Sequence, residues 1–140
     1  MWMLDTNVCI ALIKRQPPGL IQHIRRRKVG EIVLSSITLA ELRYGASKSR
    51  QVEQNQSALD QFLLPFQLMS FDDAAAECYG RVRAALEQGG TPIGPLDALI
   101  ASHALSVHAT IVTNNTREFQ RVAGLKVEDW LAESSPGRGA

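Results

Sequence analysis

The sequence predicts an α/β fold in which a mainly parallel sheet is flanked by helices. Two observations support this prediction. Short apolar segments with the composition of buried strands recur along the chain, and longer segments with helical periodicity lie between them. Parallel strands need such crossovers, because the chain must return along the sheet before it can pair in the same direction. The length of 140 residues suits a single domain.

Breaker residues separate the elements predicted in the first half of the chain. Pro17-Pro18-Gly19 divides the first two helices, and Gly30 and Ser35-Ser36 bound the second strand. Pro65 ends the fourth helix, because proline does not continue a helical hydrogen-bond ladder. In chain order we predict a strand over 2–4, helices over 8–14 and 20–28, a strand over 32–34, helices over about 39–47 and 52–64, and a strand over 67–70.

The second half of the chain continues the same alternation. Asp72 is the predicted cap of a long helix that ends near Gly89-Gly90, and the turn over 91–95 starts the next helix. The elements predicted after the long helix are a helix over 96–107, a fourth strand over 110–113 and a short helix over 116–121. We assign residues 1–133 to one domain. The Ser-, Pro- and Gly-rich residues 134–140 are predicted to be a disordered tail.

Composition excludes several classes of protein. Hydrophobic residues make up 45% and charged residues 21% of the chain, as in ordinary globular proteins. No apolar run approaches the roughly 20 residues that cross a bilayer, so no membrane association is expected. The first residues reach Asp5 without a basic leader and do not resemble a signal peptide. Cys9 and Cys78 lie in apolar helical patterns and are expected to be buried thiols. We therefore expect a cytoplasmic protein.

The formal net charge of +1 neither favours nor excludes a nucleic-acid partner. A local basic cluster does exist at Arg25, Arg26, Arg27 and Lys28. Apolar residues at helical spacing precede it, so the cluster is either the solvated face of an amphipathic helix or an RNA-binding patch. Arg43 is a further candidate for RNA binding.

Polar side chains follow two of the predicted strands. Asp5 comes directly after the first strand, and Asn114 and Asn115 come directly after the fourth. In an open parallel sheet the functional crevice lies beyond the carboxyl ends of the strands, so we expect these residues near a site. Two further acids, Glu41 and Asp97, lie within apolar helical stretches.

Each of these polar residues also has a structural explanation at a helix N-terminus, where caps and negative charges are favoured. These alternatives remain open from the sequence alone. They are Asp5 as cap of the first helix, Thr38 with Glu41 as a capping box, Asp97 in a first turn after Gly94 and Pro95, and Asn115 with Glu118 as a second box.

The combination of acids indicates a metal site. A carboxylate among apolar neighbours is costly unless a proton or a cation neutralises it. Two carboxylates about 4 Å apart repel by roughly 4 kcal/mol at an effective dielectric near 20. Bringing Asp5, Glu41 and Asp97 together is therefore favourable only with a divalent cation between them. Oxygen ligands suit Mg²⁺ or Mn²⁺ rather than zinc.

Four segments of the chain together resemble the PIN-domain signature of VapC toxins. One such segment alone is weak, but their order and spacing agree over nearly the whole chain, up to about Leu131. The segments are Leu-Asp-Thr-Asn from Leu4, Ser-Ser-Ile-Thr-Leu-Ala-Glu-Leu-Arg-Tyr-Gly from Ser35, Gly-Pro-Leu-Asp-Ala-Leu-Ile-Ala from Gly94, and Val-Thr-Asn-Asn-Thr-Arg-Glu-Phe from Val112.

The resemblance implies a three-layer PIN-like domain with endoribonuclease activity that depends on Mg²⁺, for which Mn²⁺ can substitute. It implies Asp5 and Asp97 as metal ligands and Glu41 as the third acid, bound directly or through water. The family's fourth acidic position falls on Asn115, which weakens the case for a second metal, and Glu118 is the nearest carboxylate that could replace it. The residues that match ligand- or phosphate-orienting positions are Thr6, Asn7 and Thr113.

The same resemblance implies partners and a substrate. The chain would be the toxin of a type II toxin–antitoxin system, paired with a VapB-like antitoxin whose C-terminal segment wraps the toxin and obstructs the site. A homodimer is usual in the family. The sequence looks most like the enteric branch, for which the implied substrate is initiator tRNA and the implied effect is inhibition of translation.

The implied reaction is in-line attack by a metal-activated water, which leaves a 5′-phosphate and a 3′-hydroxyl. Because no histidine is needed as a base, His23, His103 and His108 are interpreted as structural or exposed.

Other classes of protein fit the sequence less well. A haloacid-dehalogenase-type enzyme would need an aspartate where Asn7 stands, and a dinucleotide-binding domain would need a glycine-rich turn after the first strand. The alternative that remains is a non-catalytic RNA-binding or protein-interaction module with a PIN-like fold, which the amide at Asn115 would favour.

Overall fold

The computed structural model describes residues 1–131. The predicted tail and the predicted domain end at residue 133 lie outside the described residues. In chain order the elements are β1 Trp2–Leu4, α1 Thr6–Lys14, α2 Pro18–Arg25, β2 Ile32–Ser35, α3 Ser36–Ser47, α4 Val52–Leu63, β3 Gln67–Met69, α5 Asp73–Gln88, α6 Pro95–Ser106, β4 Thr110–Val112, α7 Thr116–Phe119 and β5 Val127–Glu128.

The strands form one sheet in the order β3-β2-β1-β4-β5, and every neighbouring pair is parallel. The predicted α/β class with a parallel sheet is therefore confirmed. The sequence missed β5, because a two-residue, half-buried strand is too short to show periodicity. β1 is central, so its carboxyl end lies between the ends of β2 and β4.

Two hydrophobic cores cover the two faces of the sheet and give the fold three layers. The adjacent residues Met3 and Leu4 are both fully buried but belong to different cores, because side chains alternate across a strand. Helices α5 and α6 close one core, and α1, α2 and α4 contribute to the other. Burial on both faces explains why β1, β2 and β4, at the centre of the sheet, consist mainly of apolar residues. Cys9 and Cys78 are buried free thiols, as expected.

Several helices begin earlier than the sequence predicted. α1 begins at Thr6 because the Asp5 carboxylate accepts a hydrogen bond from the Val8 amide. α3 begins at Ser36 because the Ser35 hydroxyl accepts from the Ile37 amide. α5 begins after Asp72, as predicted. No helix within residues 1–131 has the length and apolar character needed to cross a bilayer.

Arg27 differs from the other members of the predicted basic cluster. Its guanidinium carbon lies 4.3 Å from the ring centroid of Trp2 and 4.2 Å from that of Trp130. Its Nη1 also donates to the carbonyl oxygen of His23, whose ring stacks on Trp130 at 4.9 Å. Arg27 is therefore not the fully solvated residue of an amphipathic helix that one interpretation of the sequence suggested, because its charge lies between two aromatic faces. The neighbouring Arg26 is exposed.

We expect Arg27→Ala to lower the free energy of unfolding by about 1–2 kcal/mol, since cation–π contacts that are partly desolvated contribute that much. Arg26→Ala is the matched control and should change it by less than about 0.5 kcal/mol. Urea denaturation followed by far-UV circular dichroism measures both. Equal effects of the two substitutions would show that the aromatic contacts of Arg27 add nothing to stability.

Candidate active site

A groove of about 910 Å³ opens beside the carboxyl ends of β1 and β2, with walls from α1, α3, α4 and the start of α6. Asp5, Glu41 and Asp97 all line this groove, which we call the acidic groove. Thr6 and Asn7 line it as well. Folding thus brings together three acids that lie on different elements of the chain.

Asp5 is the most buried of these acids, with 2% of its surface exposed. Its Oδ1 accepts from the Val8 amide at 2.8 Å, and its Oδ2 accepts from the Thr113 hydroxyl at 2.5 Å. Burial raises the pKa of Asp5 to about 6; the two hydrogen bonds oppose this rise, and the nearby negative charges of Asp97 and Glu41 contribute to it. Asp5 is therefore both the cap of α1 and a carboxylate of the groove.

Glu41 lies on α3 and is fixed by a residue of α1. Its Oε1 accepts from the Thr6 hydroxyl at 2.6 Å. The structural alternative of a capping box at Thr38 and Glu41 is not formed, because Ser35 caps α3 and Thr38 is buried inside the helix. Thr6 acts instead as the polar residue that orients an acid.

Asp97 lies in the first turn of α6, after Gly94 at the N-cap position and Pro95 at the first helical position, as predicted. Burial raises the pKa of Asp97, and the charges of Glu118 and Glu41 raise it further, while a hydrogen bond from the Asn115 side chain lowers it. Asp97 is therefore both an acid in a first helical turn, where the helix dipole favours its charge, and an acid of the groove.

Glu118 accepts hydrogen bonds from two groups near Asp97, the backbone amide of Gly94 and the side-chain amide of Asn115. Its Oε1 accepts from the Gly94 amide at 3.2 Å, and its Oε2 accepts from Asn115 Nδ2 at 2.5 Å. These two bonds lower the pKa of Glu118, and the bond from Asn115 has the larger effect. The alternative of a capping box at Asn115 and Glu118 is likewise not formed, since the Asn115 side chain makes no capping bond within the described chain.

The predicted RNA-binding residues outside the acids lie elsewhere. Arg43 donates to Asp60 at 2.7 Å and to Gln56 at 2.8 Å, so it ties α3 to α4. Within residues 1–131, neither Arg43 nor the basic cluster at 25–28 lines the acidic groove. The cations that do line it are Lys14 and Lys48, which the sequence reasoning missed.

The histidines are structural or exposed, as predicted. His103 is 1% exposed, and its Nδ1 lies 2.7 Å from the Ser35 hydroxyl oxygen. This contact joins α6, which carries Asp97, to the N-terminus of α3, which carries Glu41. Burial lowers the pKa of His103, which favours the neutral ring in this contact. His108 is exposed.

The acidic groove has the ligand chemistry of a magnesium site but not, among the residues that the structure describes, a preassembled cluster of ligands. Within residues 1–131, no three His, Cys, Asp or Glu side chains are placed so that all could hold one ion. The acids that line the groove offer only oxygen donors, and no described histidine or cysteine lines it. This donor set fits Mg²⁺, which is commonly held by one or two carboxylates with water completing its shell.

The parallel sheet, with an acidic groove at the carboxyl ends of its strands, defines the class of protein. A family model described as "PIN domain" matches residues 2–125. The chain is 46% identical to "tRNA(fMet)-specific endonuclease VapC" of Shigella flexneri, over 92% of this chain and 97% of that protein. It is also 46% identical to "Ribonuclease VapC2" of Rickettsia felis, over 93% and 98% of the two chains.

Solved structures agree with this result. The crystal structure of VapBC2 from Rickettsia felis, bound to a DNA fragment from its promoter, superposes with a TM-score of 0.86 at 44% identity, covering 92% of this chain and 98% of that chain. The DNA-bound VapBC structure from Salmonella typhimurium gives 0.86 at 42% identity, with 92% and 97% covered. The chain therefore belongs to the PIN-domain family and, within it, to the VapC ribonucleases.

Proposed function

We propose that this protein is the toxin of a VapBC-type toxin–antitoxin system and acts as a Mg²⁺-dependent endoribonuclease. Its proposed substrate is tRNA, specifically initiator tRNA, and its proposed effect in the cytoplasm is inhibition of translation. The observation that supports the catalytic part is the meeting of Asp5, Glu41 and Asp97 in one groove. The name of the Shigella flexneri relative supports the choice of initiator tRNA.

In this proposal Asp5 and Asp97 would hold the metal, and Glu41 would bind it directly or through water. When bound, Mg²⁺, for which Mn²⁺ can substitute, supplies the positive charge that activates water and offsets charge on the scissile phosphate. Thr113 and the Val8 amide fix both oxygens of Asp5, so this carboxylate needs no reorientation when substrate binds. Cleavage leaves a 5′-phosphate and a 3′-hydroxyl.

Supporting residues hold the other two acids in position. Thr6 keeps one Glu41 oxygen directed toward α1. The Asn115 amide hydrogen-bonds Asp97, and Glu118 holds that amide in turn. We assign Glu118 this supporting role rather than that of a fourth metal ligand, because it does not line the acidic groove in the part of the chain that the structure describes and its two oxygens hold Gly94 and Asn115.

The proposed protein partner is a VapB-like antitoxin, since the similar structures are of VapBC assemblies. Exposed apolar residues line the acidic groove at Ile10, Ile13 and Leu96. An apolar segment at the antitoxin's C-terminus would bury these side chains and obstruct the acids. A homodimer, usual in the family, is proposed for the toxin itself.

We expect the purified protein to cleave an initiator tRNA transcript in Mg²⁺ and to leave it intact in EDTA. Asp5→Ala is the inactive control, and an elongator tRNA transcript tests the specificity. Products are mapped by primer extension. Expression of the wild type should arrest growth, and a co-expressed antitoxin should relieve the arrest.

A chain that binds the transcript in Mg²⁺ without cutting it would instead support the non-catalytic module. Equal cleavage of both tRNAs would keep the ribonuclease and remove the proposed specificity.

A further inference from the structure

One face of α3, continued by its C-cap residue Lys48, carries three different kinds of side chain into the acidic groove. Glu41, Tyr44 and Lys48 all line it, at helical spacings of three and seven residues. With a rise of about 1.5 Å per residue, Lys48 lies about 10 Å along the helix from Glu41. An acid, an aromatic ring and a cation therefore follow one another along the wall of a single groove.

The aromatic ring on this face is accessible. Tyr44 is 65% exposed although it lies on a wall of the groove. The Lys48 ammonium lies 4.8 Å from the centre of the Tyr44 ring, so the cation and the ring form one surface. An exposed ring has an open face on which a flat ligand can stack.

The groove's cations are also available for a ligand. Within residues 1–131, neither Lys48 nor Lys14 of α1 has an ion-pair partner, whereas Arg43 of α3 is paired with Asp60. A phosphate group would supply the missing negative charge. The apolar antitoxin segment proposed above would cover Ile10, Ile13 and Leu96 but would leave both lysines unpaired.

We propose that Tyr44 and Lys48 form the subsite for the RNA strand beside the scissile bond. In this arrangement a base next to the cleaved phosphate stacks on the Tyr44 ring, and a neighbouring phosphate pairs with Lys48. The inference rests on the proposed ribonuclease function and adds the residues that bind its substrate. Single-stranded RNA is commonly bound in this way, because stacking on aromatic rings accepts any base and lysines follow the backbone.

The test measures binding separately from cleavage. Fluorescence anisotropy of a labelled initiator tRNA transcript, in EDTA and over a range of salt concentrations, compares the wild type with three substitutions at this face. These are Tyr44→Leu, Tyr44→Phe and Lys48→Gln. Lys126→Gln is the matched control, because Lys126 is exposed and precedes β5, at the amino ends of the strands and opposite the groove.

We expect Tyr44→Leu to raise the Kd roughly tenfold and Tyr44→Phe to restore binding to within about twofold of wild type, since the ring is what stacks. Lys48→Gln should reduce the slope of log K against log salt by about 0.7, the amount expected for one phosphate contact on a single strand. Lys126→Gln should change neither quantity. With Mg²⁺ present, Tyr44→Leu should raise KM more than it lowers kcat.

The inference is overturned if the wild type cleaves RNA and the variants bind and cleave as it does. It is also overturned if Tyr44→Leu weakens capture of the antitoxin but not of RNA, because the face would then be a protein-docking surface. A wild type that neither binds nor cleaves RNA would reject the proposed function itself. Melting temperatures close to wild type, expected for substitutions at exposed positions, confirm that the variants are folded.

Discussion

Asp97→Asn is expected to reduce RNA cleavage by at least about 100-fold, because loss of residues that merely support a metal ligand already costs about 10–100-fold. The metal-free variant should nevertheless be as stable as the wild type or more stable. Burial and the charges of Glu118 and Glu41 disfavour the ionised carboxylate in the fold, and an amide removes that penalty. The retained side-chain oxygen can still accept from Asn115.

Thermal melting with and without Mg²⁺ provides a second measurement. Mg²⁺ at about 100 times its Kd stabilises the fold by about 2.7 kcal/mol, so the wild type should melt at a higher temperature in Mg²⁺ and Asp97→Asn should respond less. Asp73→Asn is the matched control, since Asp73 also lies in a first helical turn but on α5, and it does not line the groove among the described residues. If Asp97→Asn unfolds and the wild type does not respond to Mg²⁺, Asp97 is only a structural acid.

Metal-free wild type is expected to lose about 3 kcal/mol more stability than Asp5→Asn between about pH 3.5 and pH 7.5. Burial raises the pKa of Asp5 from an ordinary 3.8 to about 6, so the folded state holds the proton more tightly than the unfolded state. This contribution to stability is fully present below the ordinary pKa and is lost as the pH rises through 6. Asp97 titrates in both proteins, so the difference between them isolates Asp5.

Urea denaturation in EDTA at several pH values measures this difference. The Asn side chain changes the hydrogen bond with Thr113, so the comparison uses the slopes with pH rather than the absolute stabilities. Mg²⁺ should restore stability at the upper end of the range, because it binds the deprotonated carboxylate. Parallel pH profiles for the two proteins would mean that Asp5 is not destabilised by its charge in the fold.

Local sequence signals predicted most of the secondary structure. Breakers and caps, such as Pro65 and Asp72, act within a few residues of their own position, so their effect can be read without tertiary information. The β-branched residues of β2 and the apolar residues of β1 gave correct strands for the same reason. β5 was missed because its pairing with β4, rather than its composition, makes it a strand.

The two capping boxes, which the sequence left open as alternatives, show that local spacing does not decide a cap. Thr38 and Glu41 have the right spacing for a box, but Ser35 starts the helix one turn earlier and Glu41 bonds to Thr6 instead. Spacing alone does not determine which of two nearby hydroxyl residues caps a helix. The partner of Glu41 lies 35 residues away, where no local pattern reaches it.

The sequence by itself determined the class of the sheet, the apolar stretches and the chemical types of the acids, because periodicity and composition act over short distances along the chain. The packing of helices against the sheet decided which groups meet. Asp5 and Thr113 are 108 residues apart, and His103 and Ser35 are 68 apart, yet each pair is in contact. The same packing placed Arg27 between two aromatic rings and left Tyr44 and Lys48 open to the groove. Contacts between distant residues depend on how whole elements pack together, which is why only the tertiary structure assigned these roles.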